Sequence, residues 1–293
     1  MRIVFIGTVE FSRRALERLV ALQAGVVGVC TLQTSSFNAD HVDLRDTCDR
    51  HGIPCLYSDD VNSADSLIWI RDLKPDVIFC FGWSRLLKQE LLKLAPLGVV
   101  GFHPAALPAN RGRHPMIWAL ALGLESTAST FFFMDEGADS GDILSQRTIP
   151  IAAQDDARSL YDKITACALE QIEGFLPSLA AGTFARLEQD HSHANTWRKR
   201  GRADGQIDWR MSAKTIHNLV KALAKPYVGA HLMLDGAAIK VWKALPSDGA
   251  PDNLEPGKVI ALTDIGFVVK CGEGALCVQL TEPVVSPTVG SYL

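Results

Sequence analysis

The chain alternates short, unbroken apolar runs with stretches of helical spacing, and no other feature constrains its fold as strongly. Residues 3–6 are β-branched and aromatic and end on Gly7; residues 26–30, 53–57, 75–81 and 99–102 repeat the theme. From Val77 to Phe81 every position is apolar, which a strand tolerates when both of its faces are covered. Between the runs, Phe11, Ala15, Leu16, Leu19 and Val20 recur at helical spacing, with Thr8 available as a cap. Residues 43–51, 63–73 and 86–94 read as further helices. Strands alternating with helices predict an α/β fold: a Rossmann-like, mostly parallel sheet with helices on both faces.

Further along, a helix is expected over 115–122 and strands over 129–134 and 143–151. Asp155 or Asp156 caps a long helix with Leu160, Ile164, Ala168, Ile172 and Leu176 on one face, and Gly182 ends it. This predicts a first, catalytic domain over 1–182. Residues 183–204 are polar and aperiodic and read as a linker. Residues 205–293 hold one helix (212–223) and five short strands at 231–234, 238–244, 257–262, 266–271 and 275–280, which predict a small C-terminal β-barrel-like domain.

The totals exclude several classes. Hydrophobic content of 47% with 21% charged residues is that of an ordinary globular protein. A net charge of −4 gives no general attraction to nucleic acid or anionic membrane. Seven cysteines without a C-x-x-C pair are expected as reduced thiols, not metal ligands. The strand that begins at residue 3 leaves no room for a leader, and no run reaches membrane-spanning length, so a cytoplasmic protein is expected. Gly7-Thr-Val-Glu-Phe11 has one glycine where a dinucleotide fingerprint needs three, which argues against NAD.

The candidate site lies in two loops. The apolar run 99–102 ends on His103, and a Pro/Gly-rich loop carrying Asn110, Arg111 and Arg113 follows. This puts an imidazole at the carboxyl edge of the sheet, where open α/β sheets keep their sites. The loop Met134-Asp-Glu-Gly-Ala-Asp139-Ser-Gly-Asp142 can bring a carboxylate to the same edge, to orient the imidazole and set its charge.

The pattern resembles the folate-dependent formyltransferases, over nearly the whole length from Gly7-Thr-Val-Glu-Phe11 to Ile239-Lys-Val-Trp242. In that family a strand ends Asn-x-His and an Asp follows 36 residues after the His, as Asp139 follows His103 here. The Asn slot holds Gly101, a departure. Arg111-Gly-Arg113 and Ile207-Asp-Trp209 resemble the branch that formylates nucleotide-linked amino sugars.

The resemblance implies an enzyme that moves a formyl group from N10-formyltetrahydrofolate, without a metal, to the amine of such a sugar, as in lipopolysaccharide or O-antigen assembly. His103 would then serve as oxyanion donor and proton carrier, and Asp139 would hold it. Asn110 is the candidate to replace the donor lost at Gly101. Phe81, Gly82, Trp83 and Leu86 would border the folate, with Gly137 and Asp142 in the acidic loop; packing in the core is the other reading of Phe81 and Trp83, and capping the turn that of Asp142. Arg111 and Arg113 would clamp a diphosphate, a loop-stabilising salt bridge being the other reading.

Two alternatives remain, methionyl-tRNA formylation and ligand binding without catalysis. A tRNA partner calls for a basic surface. Residues 31–50 hold two arginines and four aspartates, and residues 205–293 hold eight Lys/Arg and eight Asp/Glu. No membrane partner is expected, and a homodimer is left open.

Overall fold

A computed structural model describes residues 1–35 and 38–293. The chain forms two compact units. The first comprises residues 1–112, 128–149 and 162–197; the second comprises 113–127, 150–161 and 198–293.

The elements begin with β1 (Arg2–Ile6), α1 (Glu10–Ala21), β2 (Gly25–Thr31), α2 (Arg45–His51), β3 (Cys55–Tyr57), α3 (Ala64–Asp72), β4 (Val77–Cys80) and α4 (Gln89–Leu92). There follow β5 (Val99–His103), β6 (Arg111–Gly112), α5 (Pro115–Ala121), β7 (Ser126–Phe133), β8 (Ile143–Pro150), α6 (Ala157–Ala181) and β9 (Thr196–Trp197). The rest is α7 (Ala213–Leu223), β10 (Ala230–Leu234), β11 (Ala237–Ser247), β12 (Val259–Thr263), β13 (Gly266–Lys270) and β14 (Ala275–Glu282).

The main sheet runs β3-β2-β1-β4-β5-β7-β8. Its pairings are parallel from β3 to β5, and β7 then joins β5 antiparallel, with Gly101 opposite Phe132 and His103 opposite Thr130. The unbroken apolar runs have the expected cause. On one face Val4, Ile6, Ile78, Cys80 and Val99 form a cluster with Leu67 and Ile70 of α3 and Leu91 of α4. On the other, Phe79, Phe81 and Phe131 meet Phe11 of α1 and Phe175 of α6 through ring contacts 5.0–6.2 Å between centroids. A strand covered on both sides has no polar alternation to show.

The crevice between the carboxyl ends of β1 and β4, where the strand order reverses, is closed by the protein itself. Ser12 Oγ accepts from the backbone N–H of Thr8 and of Val9 and donates to the Phe81 carbonyl at 2.6 Å. Ser12, not Thr8, therefore satisfies the donors at the start of α1. His103 stands at the end of β5, the next strand after β4 in the sheet.

In the second unit, β10-β11-β14-β13-β12 form one antiparallel sheet in that order, with α7 packed against β11 and β14. Ser212 caps α7 by accepting from Thr215 N–H at 3.1 Å. Asp156 caps the start of α6 through Ser159 N–H at 2.9 Å. All seven cysteines are free thiols, and burial pushes the Cys80 thiol up to about 12. No helix among the described residues is long and apolar enough to cross a membrane.

Candidate active site

The structure brings His103 and Asp139 together. His103 ends β5 on the face that Val99 and Gly101 share, because strand side chains alternate. Its Nδ1 lies 3.6 Å from Asp139 Oδ2, and its Nε2 donates to the Asn110 carbonyl at 2.8 Å. A carbonyl can only accept, so Nε2 carries a proton in this arrangement. Asp139 Oδ2 also accepts from Gly112 N–H at 2.9 Å. The imidazole is nearly closed off, with 6% of its side-chain surface exposed against 21% for Asp139. The carboxylate is thus the outward member of the pair. Asn110 and Asp139 both have left-handed backbone, with φ of 65° and 56°. Such residues persist where their surroundings fix them.

Asn110 reaches His103 through its main chain, and its side-chain amide makes no hydrogen bond to the described residues. The Gly101 slot is filled from the side. A Cβ at Gly101 would come 2.8 Å from Met134 Cγ and 3.1 Å from both Met134 Sδ and Phe132 Cε1. Met134 and Phe132 belong to a small apolar cluster with Leu107 and Ile143, next to the imidazole's strand.

The segment after β4 differs from expectation. Phe81 was expected against a ligand, but its ring is fully buried among Phe5, Phe11, Phe79 and Phe131. Its N–H and carbonyl are bonded to Ile6 and Ser12. Gly82, at φ 71°, makes its close approach to the protein: an added Cβ would stand 2.2 Å from Val9 Cγ2 and 2.6 Å from Ser12 Oγ. Trp83 packs half-buried against the α3–α4 cluster, and its indole N–H is buried with no partner among the described residues. Leu86 is 75% exposed. In the acidic loop, Asp135 does the capping. Its Oδ1 accepts from Gly137 N–H at 2.9 Å and from Ser140 Oγ at 2.7 Å, while Asp142 bonds Phe133 N–H through its carbonyl.

Arg111 turns inward instead of offering a fork to solvent. Its NH2 donates to Gln189 Oε1 at 2.6 Å and His191 Nδ1 at 3.0 Å, and its Nε is buried without a partner. Arg113 belongs to the second unit. There, burial first, and then the charges of Arg113, Arg200 and Lys199, hold His114 below the ordinary histidine range, against the pull of Asp204. Arg198 pairs with Asp204 and, like Arg200, lies over Trp118. Gln189 and Asn195 fall in the stretch expected as a linker and bond directly to the site loops. Their one visible signal was polar character without periodicity. Among the described residues no group of three or more His, Cys, Asp or Glu side chains could hold a metal ion.

The structure sets an imidazole and a carboxylate side by side at the carboxyl edge of a doubly covered sheet, an arrangement that is chemically able to pass a proton. The sequence matches the formyl transferase model over residues 1–172 and the formyl transferase C-terminal domain model over 200–285, and the chain belongs to that family. It is 32% identical over 283 residues to a methionyl-tRNA formyltransferase from Geobacter metallireducens, covering 95% of this chain and 90% of the relative. The fold is similar to the crystal structure of WlaRD, a sugar 3N-formyl transferase in the presence of dTDP and 5-N-formyl-THF, with a TM-score of 0.71, 15% identity and 95% and 97% of the two chains covered. It is also similar to HypX from Aquifex aeolicus, with a TM-score of 0.69 and 22% identity; there 96% of this chain matches 44% of HypX. The protein is a formyltransferase, an enzyme transferring a one-carbon group.

Proposed function

We propose that this enzyme formylates the amine of a nucleotide-linked amino sugar, with N10-formyltetrahydrofolate as donor and the His103–Asp139 pair as proton acceptor. The folate, when bound, supplies the formyl carbon and a nitrogen that must gain a proton as its bond to that carbon breaks. The attacking amine must lose one. Asp139 presents Oδ1, which makes no hydrogen bond to the described residues, while Oδ2 is tied to Gly112 N–H and faces His103 Nδ1. The carboxylate takes the amine proton, and the imidazole behind it shares the charge. Asn110 offers its unused amide as a donor near the same edge.

Trp83 is the residue best suited to hold the folate. Its flat ring and buried, unpartnered indole N–H fit a planar ligand that carries a hydrogen-bond acceptor. Leu86 and the loop of Gly137 and Asp142 are the further candidates, while Phe81 and Gly82 serve the core.

One observation carries the choice of a sugar over a tRNA. From Leu32 to Leu44, between β2 and α2, there is no lysine or arginine and there are two aspartates. Phosphate contacts dominate nucleic-acid affinity and need cations. The methionyl-tRNA reading stands second, on the 32% identity to the Geobacter enzyme. The purified protein should turn over N10-formyltetrahydrofolate with a TDP- or UDP-linked 4-amino sugar and leave methionyl-tRNA unformylated; the reverse outcome rejects the proposal. His103→Ala and Asp139→Asn should each lower kcat by about 10²–10⁴ in a folded protein. Near-normal rates would remove the pair from the chemistry.

A further inference from the structure

The segment from Leu187 to Trp197 is fastened at both ends to the strands that carry the site. Leu187 exchanges two backbone hydrogen bonds with Ile143 at the start of β8, at 2.8 and 2.9 Å. Thr196 and Trp197 pair in parallel with Arg111 and Gly112. Between these anchors two side chains reach the site loops, Gln189 bonding both of them and Asn195 only the one after His103. Gln189, 3% exposed, donates from Nε2 to the Asp139 carbonyl at 2.9 Å and to the Gly141 carbonyl at 2.6 Å, while its Oε1 accepts from Arg111. Asn195 Oδ1 accepts from Asn110 N–H at 2.7 Å. The carbonyl of that same Asn110 is the partner of His103 Nε2.

We propose that Gln189 and Asn195 are positioning residues: Gln189 holds Asp139 through its carbonyl, and the Asn195 side chain holds Asn110 through its N–H, the residue whose own carbonyl orients the His103 ring. The proposal rests on the catalytic reading of His103 and Asp139. Both tethered residues, Asp139 and Asn110, have positive φ, a backbone conformation that persists where neighbours over-determine it. Gln189 spends both amide hydrogens and its oxygen on this task, and no other residue type of its shape donates twice and accepts once. The strap acts on the two halves of the pair through different bonds, so their effects are separable.

The test uses the full chain and two readouts. The first is the His103 Nε2–H resonance by NMR, which needs no acceptor substrate. Asn195→Ala removes the bond to Asn110 N–H, and the Nε2–H should exchange with water about tenfold faster, the worth of one hydrogen bond. Asn195→Asp keeps an acceptor oxygen and should restore slow exchange. Gln189→Glu keeps the shape and the bond to Arg111 but cannot donate to either carbonyl, and it should move the His103 Nδ1 chemical shift. The second readout is turnover with N10-formyltetrahydrofolate and a TDP-linked 4-amino sugar. Here Gln189→Glu and Asn195→Ala should lower kcat about tenfold or more with little change in KM, and Asn195→Asp should recover it. Unchanged exchange and an unchanged Nδ1 shift in folded variants overturn the proposal. If His103→Ala and Asp139→Asn retain turnover, the catalytic reading fails instead. If those two lose it while the strap variants keep it, the positioning role alone fails. Asn195 is exposed, so its variants remain folded should Gln189→Glu prove unstable.

Discussion

Gly101→Asn would put back the side chain that the resemblance leads one to expect at the end of β5, and the structure states what it would cost. Gly101 does not have positive φ, so the backbone accepts a side chain. Space is the obstacle, because the new Cβ would lie 2.8 Å from Met134 Cγ and 3.1 Å from Phe132 Cε1. Overpacking of this kind costs about 1–3 kcal/mol. The amide would also press into the packed apolar cluster of Leu107, Phe132, Met134 and Ile143, and leaving it unpaired costs roughly another 1–3 kcal/mol. Removing a glycine from the unfolded chain returns about 0.4–1 kcal/mol. A net loss of about 2–4 kcal/mol is expected, a fall in Tm of roughly 5–10 °C for a chain of this size. Met134→Ala should relieve the clash, so the double variant should be more stable than the sum of the singles by about 1–3 kcal/mol. Chemical denaturation of the four proteins gives that coupling. Strict additivity, or a Gly101→Asn protein as stable as the parent, would refute the claim that Met134 occupies the slot. In the double variant an amide stands two residues before His103 on the same strand face; if a missing donor limits the rate, kcat should rise by up to about 10²–10³.

The other expectations concern residues whose placement departs from their sequence reading, and the second unit. Phe81→Leu should cost about 1–3 kcal/mol in denaturant and leave the KM for the folate unchanged, because the ring is core; a several-fold rise in KM would return Phe81 to the ligand. Arg111→Lys should lower stability by about 1–3 kcal/mol, since one ammonium cannot reproduce a planar fork shared between Gln189 and His191, while the KM for a nucleotide-linked sugar stays near the parent value. A KM effect without a stability effect would make Arg111 a phosphate ligand. Burial holds His114, His217 and His231 below the ordinary value of 6.5 in the fold. Below about pH 6.5 the unfolded chain therefore binds more protons than the native one, and stability falls as pH falls. Tm should be flat from pH 8 to 7 and drop toward pH 5; a Tm that rises on acidification would contradict those burials.

The elements of the main sheet were legible because their cause is periodic. Strands β1, β2, β4 and β5 are covered on both faces, so their apolar runs are unbroken, and the helices between them carry one apolar stripe each. The two-residue pairing of Arg111–Gly112 with Thr196–Trp197 has no such signature. It consists of backbone bonds between segments far apart in sequence; Gly112, at φ 97° with Trp197 O 2.3 Å from where a Cβ would stand, must be glycine, but a single glycine does not name its partner strand. The stretch 187–197 therefore read as linker although it is bonded into the first unit.

The same distinction separates the legible part of the site from the rest. His103 was visible because a strand must end somewhere and a polar residue closing an apolar run stands out; Asp139 was paired with it through the family spacing. Burial of a particular ring or guanidinium carries no such mark. Trp83 and Phe81 are both aromatic residues after the same strand, yet one is enclosed by four phenylalanines and the other leaves its indole N–H without a partner. Gly82 marks a point of close approach, and the approaching groups are Val9 and Ser12. Residue type states what a side chain can do; the hydrogen bonds already made decide what it has left to offer. By that measure Arg111 has given its NH2 to Gln189 and His191, whereas Asp139 Oδ1 and the Asn110 amide remain uncommitted. In the proposed reading, those two groups are the ones left to meet a ligand amine.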